Sequence, residues 1–240
     1  MKIEIKSGDE LNLLLEALKT EITNANSYHR LFLGLIKSRP AHEREFQQSE
    51  VFWHLTQKAL MEARLINLCR VYDQHSVALN LVNLLETIKA NLHFFSEADF
   101  RKRLKGNAFV DYLAKDSRIP QLDDIERDIK SVSCKQESVK KLMIWRNNIA
   151  AHYNAQLSLR KNQVLEDNPL SEAEIEQLLE HSLTIFNKYS SLYNNSGLWR
   201  EHLWLGQDDF KSLLKFMGLG LKKWDEGKKE IQHHSLASKN

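Results

Sequence analysis

The sequence predicts an all-α protein, an up-and-down helical bundle with a C-terminal helical extension, and three observations lead there. Gly (8) and Pro (3) are scarce in 240 residues, too few for the tight turns of a sandwich, barrel or doubly wound sheet. Apolar residues recur at intervals of three and four along most of the chain, the period of one helix face. Capping patterns and Asn/Gly clusters fall where those stretches begin and end.

After an alternating charged and apolar start over Met1–Lys6, the residues Leu11, Leu14, Leu15, Leu18, Ile22 and Ala25 open a helical stripe. It continues to Phe32 and Ile36, with Asp9 as the expected N-cap and Pro40 as the break behind it. A second long helix is expected from about Glu43 to Tyr72, carrying Phe46, Trp53, Leu60, Ala63 and Leu68 and ending at Asp73-Gln74-His75-Ser76. A shorter one follows through Leu79, Leu81, Leu84, Leu85 and Ile88.

Ser96 to Asp99 reads as a capping box ahead of Phe100 and Leu104, Gly106-Asn107 as a turn, and Asp116 to Pro120 as a loop. Leu122, Ile125, Ile129 and Val132 mark the next helix, and Val139, Leu142, Trp145, Ile149 and His152 another from about Gln136 to Tyr153. Asn154 to Pro169 is polar and reads as a loop. The capping box Ser171-Glu172-Ala173-Glu174 then starts a helix through Ile175, Leu178, Leu179, Ser182, Phe186 and Tyr189, which Asn194-Asn195-Ser196-Gly197 stops. Asp208 opens a last amphipathic helix through Phe210, Leu213, Leu214, Met217, Leu221 and Trp224, with a charged, fraying tail expected from Asp225. There is no internal repeat. The expected organisation is a helical bundle over 1–195 and an appendage over 196–240.

Lys+Arg (34) nearly cancel Asp+Glu (32), for a net +2 and a pI of about 8.4, far from the dense basic footprint of a nucleic-acid coat protein. Cys69 and Cys134 stand in unrelated settings; they suggest small buried hydrophobes rather than a disulfide framework or a CxxC site. No apolar run approaches the ~18 residues of a membrane span, and the start lacks a signal peptide's hydrophobic stretch. A soluble, cytoplasmic protein is expected.

Several chemistries lack their parts. No glycine-rich phosphate loop, HExxH, GxSxG or EF-hand loop occurs, and His233-His234 alone make no metal site. Neither a metal nor a cofactor is expected. What stands out is Trp145-Arg146-Asn147-Asn148-Ile149-Ala150-Ala151-His152-Tyr153. Arg146 offers a permanently charged planar fork for a phosphate, and His152 can exchange a proton near neutral pH. Together they suffice for RNA cleavage without a metal: the imidazole takes the 2′-hydroxyl proton and the guanidinium stabilises charge on the phosphorane. Spacing alone does not single this pair out. About one or two Arg-to-His matches are expected by chance, and Arg70 to His75 is a second. Context favours the later pair, because Asn147 follows Arg146 directly and the segment lies late in a helical bundle.

At these residues the sequence resembles the HEPN superfamily, whose motif is an arginine, a polar residue and a nearby histidine late in such a bundle. The Arg70-Val71-Tyr72-Asp73 ending of the long second helix, ahead of the leucine-rich Leu79 to Leu85, is similar to the abortive-infection, AbiU-type subgroup. The resemblance covers roughly residues 10 to 195. It implies a metal-independent endoribonuclease in bacterial defence, acting in abortive infection or a toxin–antitoxin pair. Arg146, Asn147 and His152 match the motif positions. One departure is local: toxins paired with a nucleotidyltransferase carry a tyrosine two residues beyond the histidine, and here Tyr153 is adjacent and Asn154 takes that place.

On one continuous helix His152 falls about 120° round from Arg146 and ~9 Å along the axis. One copy therefore makes a poor site, and a twofold homodimer, as in HEPN nucleases, would bring two arginines and two histidines to one cleft. Other readings stay open. Arg146 can serve the helix macrodipole, and His152 can cap or pack. Arg70 and Asp73 can form an i, i+3 ion pair or, with Tyr153, support the site from behind. Arg101 and Arg103 in one basic cluster, and Lys140 and Lys141 before the motif, are solvated faces or contacts to an RNA backbone. Trp199 and Trp204 read as packing anchors. The competing function is a non-catalytic, dimeric HEPN-like module that binds a partner protein or nucleotide. The expected partners are a second copy, RNA, and an antitoxin or defence protein; no membrane is expected.

Overall fold

The structure is a computed structural model that describes residues 1–147, 166–199 and 207–237. Ten α-helices and two 3₁₀ turns occur among the described residues, and no strand, as the all-α reading requires. They are α1 (Gly8–Ser38), α2 (Glu43–Gln47), α3 (Glu50–Tyr72), α4 (Leu81–Ala90), α5 (Glu97–Arg103), α6 (Val110–Leu113), α7 (Leu122–Ser131), α8 (Glu137–Arg146), α9 (Glu172–Asn194) and α10 (Gln207–Ala237). The chain divides into two compact units, one of Met1–Asn26 with Glu62–Leu203 and one of Ser27–Met61 with Trp204–Asn240.

In the first unit the stripe Leu11, Leu15, Leu18 and Ile22 of α1 is fully buried. It joins one core with Leu68 and Tyr72 of α3, Leu84, Leu85 and Ile88 of α4, Ile125 of α7, Leu142 of α8, and Leu178, Phe186 and Tyr189 of α9. The Tyr72 hydroxyl donates to the Leu178 carbonyl at 2.7 Å, which satisfies a polar group in a dry interior. Ser96 caps α5 by accepting from the Asp99 amide, and Ser171 and Glu174 close a full capping box on α9. Asn195 ends α9 in the left-handed region at φ 55°, and Gly106 turns the chain at φ 93°, where only glycine is unstrained.

The second unit has its own core of Phe32 and Leu35 from α1, Phe46 from α2, Trp53 and Leu60 from α3, and Phe210 and Leu214 from α10. Its centre is aromatic. Trp53 lies 4.9 Å from Phe46 and 6.1 Å from Phe210, the latter edge-on, within the favoured range for ring pairs.

Three expectations are corrected. The N-cap of α1 is Ser7, not Asp9: the Ser7 hydroxyl accepts from the Glu10 amide, and Glu10 reaches back to the Lys6 amide. Asp9 instead lies in the first turn, where its charge suits the dipole. The predicted helix from Glu43 to Tyr72 is two, α2 and α3, broken at Gln48-Ser49, where the Gln48 side chain donates to the Arg44 carbonyl and the Gln48 and Ser49 amides tighten into i−3 bonds to Glu45 and Phe46. The tail from Asp225 does not fray at its start, because α10 runs on to Ala237 and Asp225 pairs with Arg44.

Candidate functional site

The site is built where α3 ends and α8 brings the motif arginine. Tyr72, held by Leu178, fixes the last turn of α3, so Asp73 leaves the helix from an anchored position. Its Oδ1 accepts from the His75 amide at 3.1 Å, an Asx turn. The same oxygen accepts from Arg146 Nη1 at 2.9 Å. Val139 and Leu142, two turns and one turn before Arg146 along the same face of α8, are buried, and the Trp145 indole donates to the Asn168 carbonyl at 2.7 Å, so the last turn of α8 is held where Arg146 leaves it. The Arg146 side chain keeps about 35% of its surface and Asp73 only 14%. The arrangement presents a guanidinium to solvent while a shielded carboxylate sets its direction.

Cys69, one turn before Asp73, is buried with its thiol 3.8 Å from the Leu142 carbonyl. Burial pushes that thiol up to about 12, against the lowering effect of Arg146, so it stays protonated and takes no nucleophilic part near neutral pH. Cys134, expected to be buried, is exposed.

Asn147 continues the helical backbone at φ −66° and ψ −26° and is exposed. His152 and Tyr153 lie outside the described residues, and so does the rest of the helix expected to reach Tyr153. Arg70 does not pair with Asp73: it reaches Glu21 of α1 at 3.4 Å, and Asp73 is taken by Arg146. The Arg146–Asp73 contact joins residues far apart in the chain, and no local spacing announces it.

The basic candidates are dispersed and mostly engaged. Lys141 is bound to Glu174 of α9 at 2.7 Å, while Lys140 is exposed and 4.0 Å from Glu137. On α5, Arg101 holds Glu97 and Asp111 at 2.8 and 2.5 Å. Arg103 donates twice to the Tyr193 carbonyl and stacks 3.8 Å from that ring. Half-burial lowers its pKa from the ordinary arginine value. Among the described residues no three His, Cys, Asp or Glu side chains gather as metal ligands, and no helix is long and apolar enough to cross a membrane.

An all-α bundle whose late helix delivers an arginine followed by a polar residue is what the resemblance to the HEPN class of helical domains implies. The HEPN family model described as AbiU2 matches residues 8–216, and the chain belongs to that family. The match runs past the 10–195 seen in the sequence and takes in the first turns of α10, which had no expected counterpart. No curated protein and no solved structure matches the chain.

Proposed function

We propose that the chain is a HEPN-type, metal-independent endoribonuclease of bacterial defence, acting in the cytoplasm in abortive infection or as the toxin of a toxin–antitoxin pair. One observation carries the reading: in a HEPN family chain, the motif arginine is partly exposed and aimed by a shielded carboxylate. Arg146 binds the scissile phosphate and stabilises the phosphorane. His152 takes the proton of the 2′-hydroxyl as its oxygen attacks phosphorus, and a second imidazole protonates the leaving 5′-oxygen. Asn147 orients the phosphate. The products are a 2′,3′-cyclic phosphate and a 5′-hydroxyl. Two imidazoles call for two copies, so the active species is a homodimer.

The competing reading is a non-catalytic dimeric module for a partner protein or nucleotide. It draws on the engagement of Lys141, Arg101 and Arg103 with groups of the protein itself, since RNA affinity is dominated by phosphate contacts.

Expression of the wild type beside Arg146→Ala and His152→Ala separates the two. The nuclease reading expects growth arrest by the wild type alone. It also expects purified protein to cleave RNA in EDTA, with each variant about 10²-fold slower or worse. Equal toxicity in all three, or cleavage that needs added Mg²⁺, would falsify the metal-free mechanism.

A further inference from the structure

Among the described residues, the first unit leaves three Phe, Tyr or Trp side chains exposed: Phe109 at 71%, Tyr112 at 71% and Trp199 at 67%. Trp199 is thus not the packing anchor expected of it. The three belong to one connected stretch of surface. The Leu113 amide bonds the Phe109 carbonyl, so Phe109 and Tyr112 stand on a helical turn and are neighbours on one side of it. Arg118 donates to the Leu113 carbonyl at the end of α6 and, at 3.3 Å, to the Ser191 carbonyl of α9. Ser191, Asn195 and Trp199 line a cavity of about 330 Å³ where the chain folds back from the end of α9, a volume that admits one base. That fold-back is fixed, because the Asn187 carboxamide donates to the Leu198 carbonyl and accepts from the Leu198 amide. The Ser191 hydroxyl and the Asn195 carboxamide have no hydrogen-bond partner among the described residues.

Cations that answer to no carboxylate gather on the same stretch. Arg101 is neutralised by Glu97 and Asp111, and Arg103 is turned to Tyr193. Lys105, Lys115 and Arg118, by contrast, form no ion pair among the described residues. Lys105 precedes Phe109 across the Gly106 turn, and Lys115 stands 5.8 Å from the Tyr112 ring. Over residues 105–118 the acids are Asp111, already bound by Arg101, and Asp116, so the stretch keeps a net positive charge.

We propose that this surface is a platform for single-stranded nucleic acid, with bases stacked on Phe109, Tyr112 and Trp199 and phosphates held by Lys105, Lys115 and Arg118. Exposed rings interleaved with unpaired cations match that ligand, since any base has a face to stack and every residue of its backbone a charge to hold. Ser191 and Asn195 offer a donor and acceptors to the edge of the base seated beside Trp199. A duplex keeps its base faces inside the stack and gives the rings nothing. The platform lies at the far end of α9 from the Arg146 site, about 20 Å along the helix from Leu178, where Tyr72 is held, to Ser191. That the strand is RNA rests on the ribonuclease reading; the platform itself does not, because a DNA strand presents the same rings and phosphates.

Fluorescence anisotropy of the full chain tests this with labelled oligothymidylate DNA and oligouridylate RNA of about 15 nucleotides. The DNA lacks a 2′-hydroxyl and is not cut, and Arg146→Ala keeps the RNA whole. Expected are dissociation constants of roughly 1–100 μM for both strands, the tighter strand naming the natural ligand, and binding at least about tenfold weaker for a DNA duplex of the same length. Tyr112→Ala and Trp199→Ala should each weaken binding about tenfold, whereas Phe216→Ala, an exposed ring of the second unit, should change nothing. Lys105→Gln combined with Lys115→Gln should lower the slope of log affinity against log salt by about 1.4. These positions are all exposed, so helical circular dichroism should stay unchanged throughout. Failure of both strands to bind overturns the proposal. So does a duplex bound as tightly as a single strand, or an affinity that Tyr112→Ala and Trp199→Ala leave intact. A wild type that binds the DNA strand but cleaves no RNA sinks the ribonuclease reading and leaves the platform standing.

Discussion

Arg146 gives one terminal nitrogen to Asp73 and keeps about a third of its side-chain surface, a compromise between fixing a guanidinium and leaving it able to meet an anion. Because the pair is partly solvated, its worth to stability is small. Asp73→Asn should cost about 1 kcal/mol or less in chemical denaturation. On the ribonuclease reading the same change should slow RNA cleavage about tenfold at saturating substrate, since Arg146 loses its direction, with Asp73→Glu restoring part of the rate. Unchanged cleavage would mean that Asp73 positions nothing. A second residue-scale expectation concerns Glu174. Lys141 and the Ser171 amide hold its carboxyl at about 2, against an ordinary 4.5. A depressed folded pKa contributes stability that is fully present above the unfolded value and is lost as pH falls through the folded one. The stability gap between wild type and Glu174→Gln should therefore be constant near neutrality and close between about pH 4.5 and 2. A gap that widened on acidification would contradict this assignment.

Among elements, the junction of α1 with α9 shows what local pattern conveys and what it conceals. The Tyr193 hydroxyl donates to the Gly8 carbonyl at 2.5 Å, and a Cβ on Gly8 would stand 2.9 Å from that hydroxyl. Gly8→Ala should thus destabilise by more than 1 kcal/mol, beyond what helix propensity, which favours alanine, would suggest. Combined with Tyr193→Phe, its cost should shrink by at least 0.5 kcal/mol in a double-mutant cycle. Additive effects would exclude the clash. Starts and stops written in adjacent residues were legible: the Ser171 box, the Ser96 cap, and Asn195 in the left-handed region. The apolar stripes of α1 and α9 were also legible, because each buried face repeats with the helical period. What depends on distant partners was not. The break at Gln48-Ser49 has no Pro or Gly to announce it. Asp73 has Arg70 at helical spacing, yet it binds an arginine on α8. The motif arginine was found from its neighbours Asn147 and His152, while its holder required the fold.

At the scale of the molecule, the two units keep separate cores, yet α1 and α3 each contribute residues to both. A linear reading places its boundary before the last helix and has no means of grouping residues 27–61 with it, because the helical period of α1 runs through Asn26 without interruption. The second core is small and leans on α10, which supplies Phe210 and Leu214. Leu214 is 1% exposed, so Leu214→Ala should cost about 2–5 kcal/mol through lost burial and a residual cavity. With two cores that cost should be felt locally. Hydrogen exchange should quicken in residues 27–38, 50–60 and 207–217, the stretches that build the second core. The amides of α4, α7 and α9, whose buried side chains belong to the first, should keep their protection. Equal acceleration in both sets would instead mean that the continuous helices α1 and α3 couple the cores into one cooperative unit.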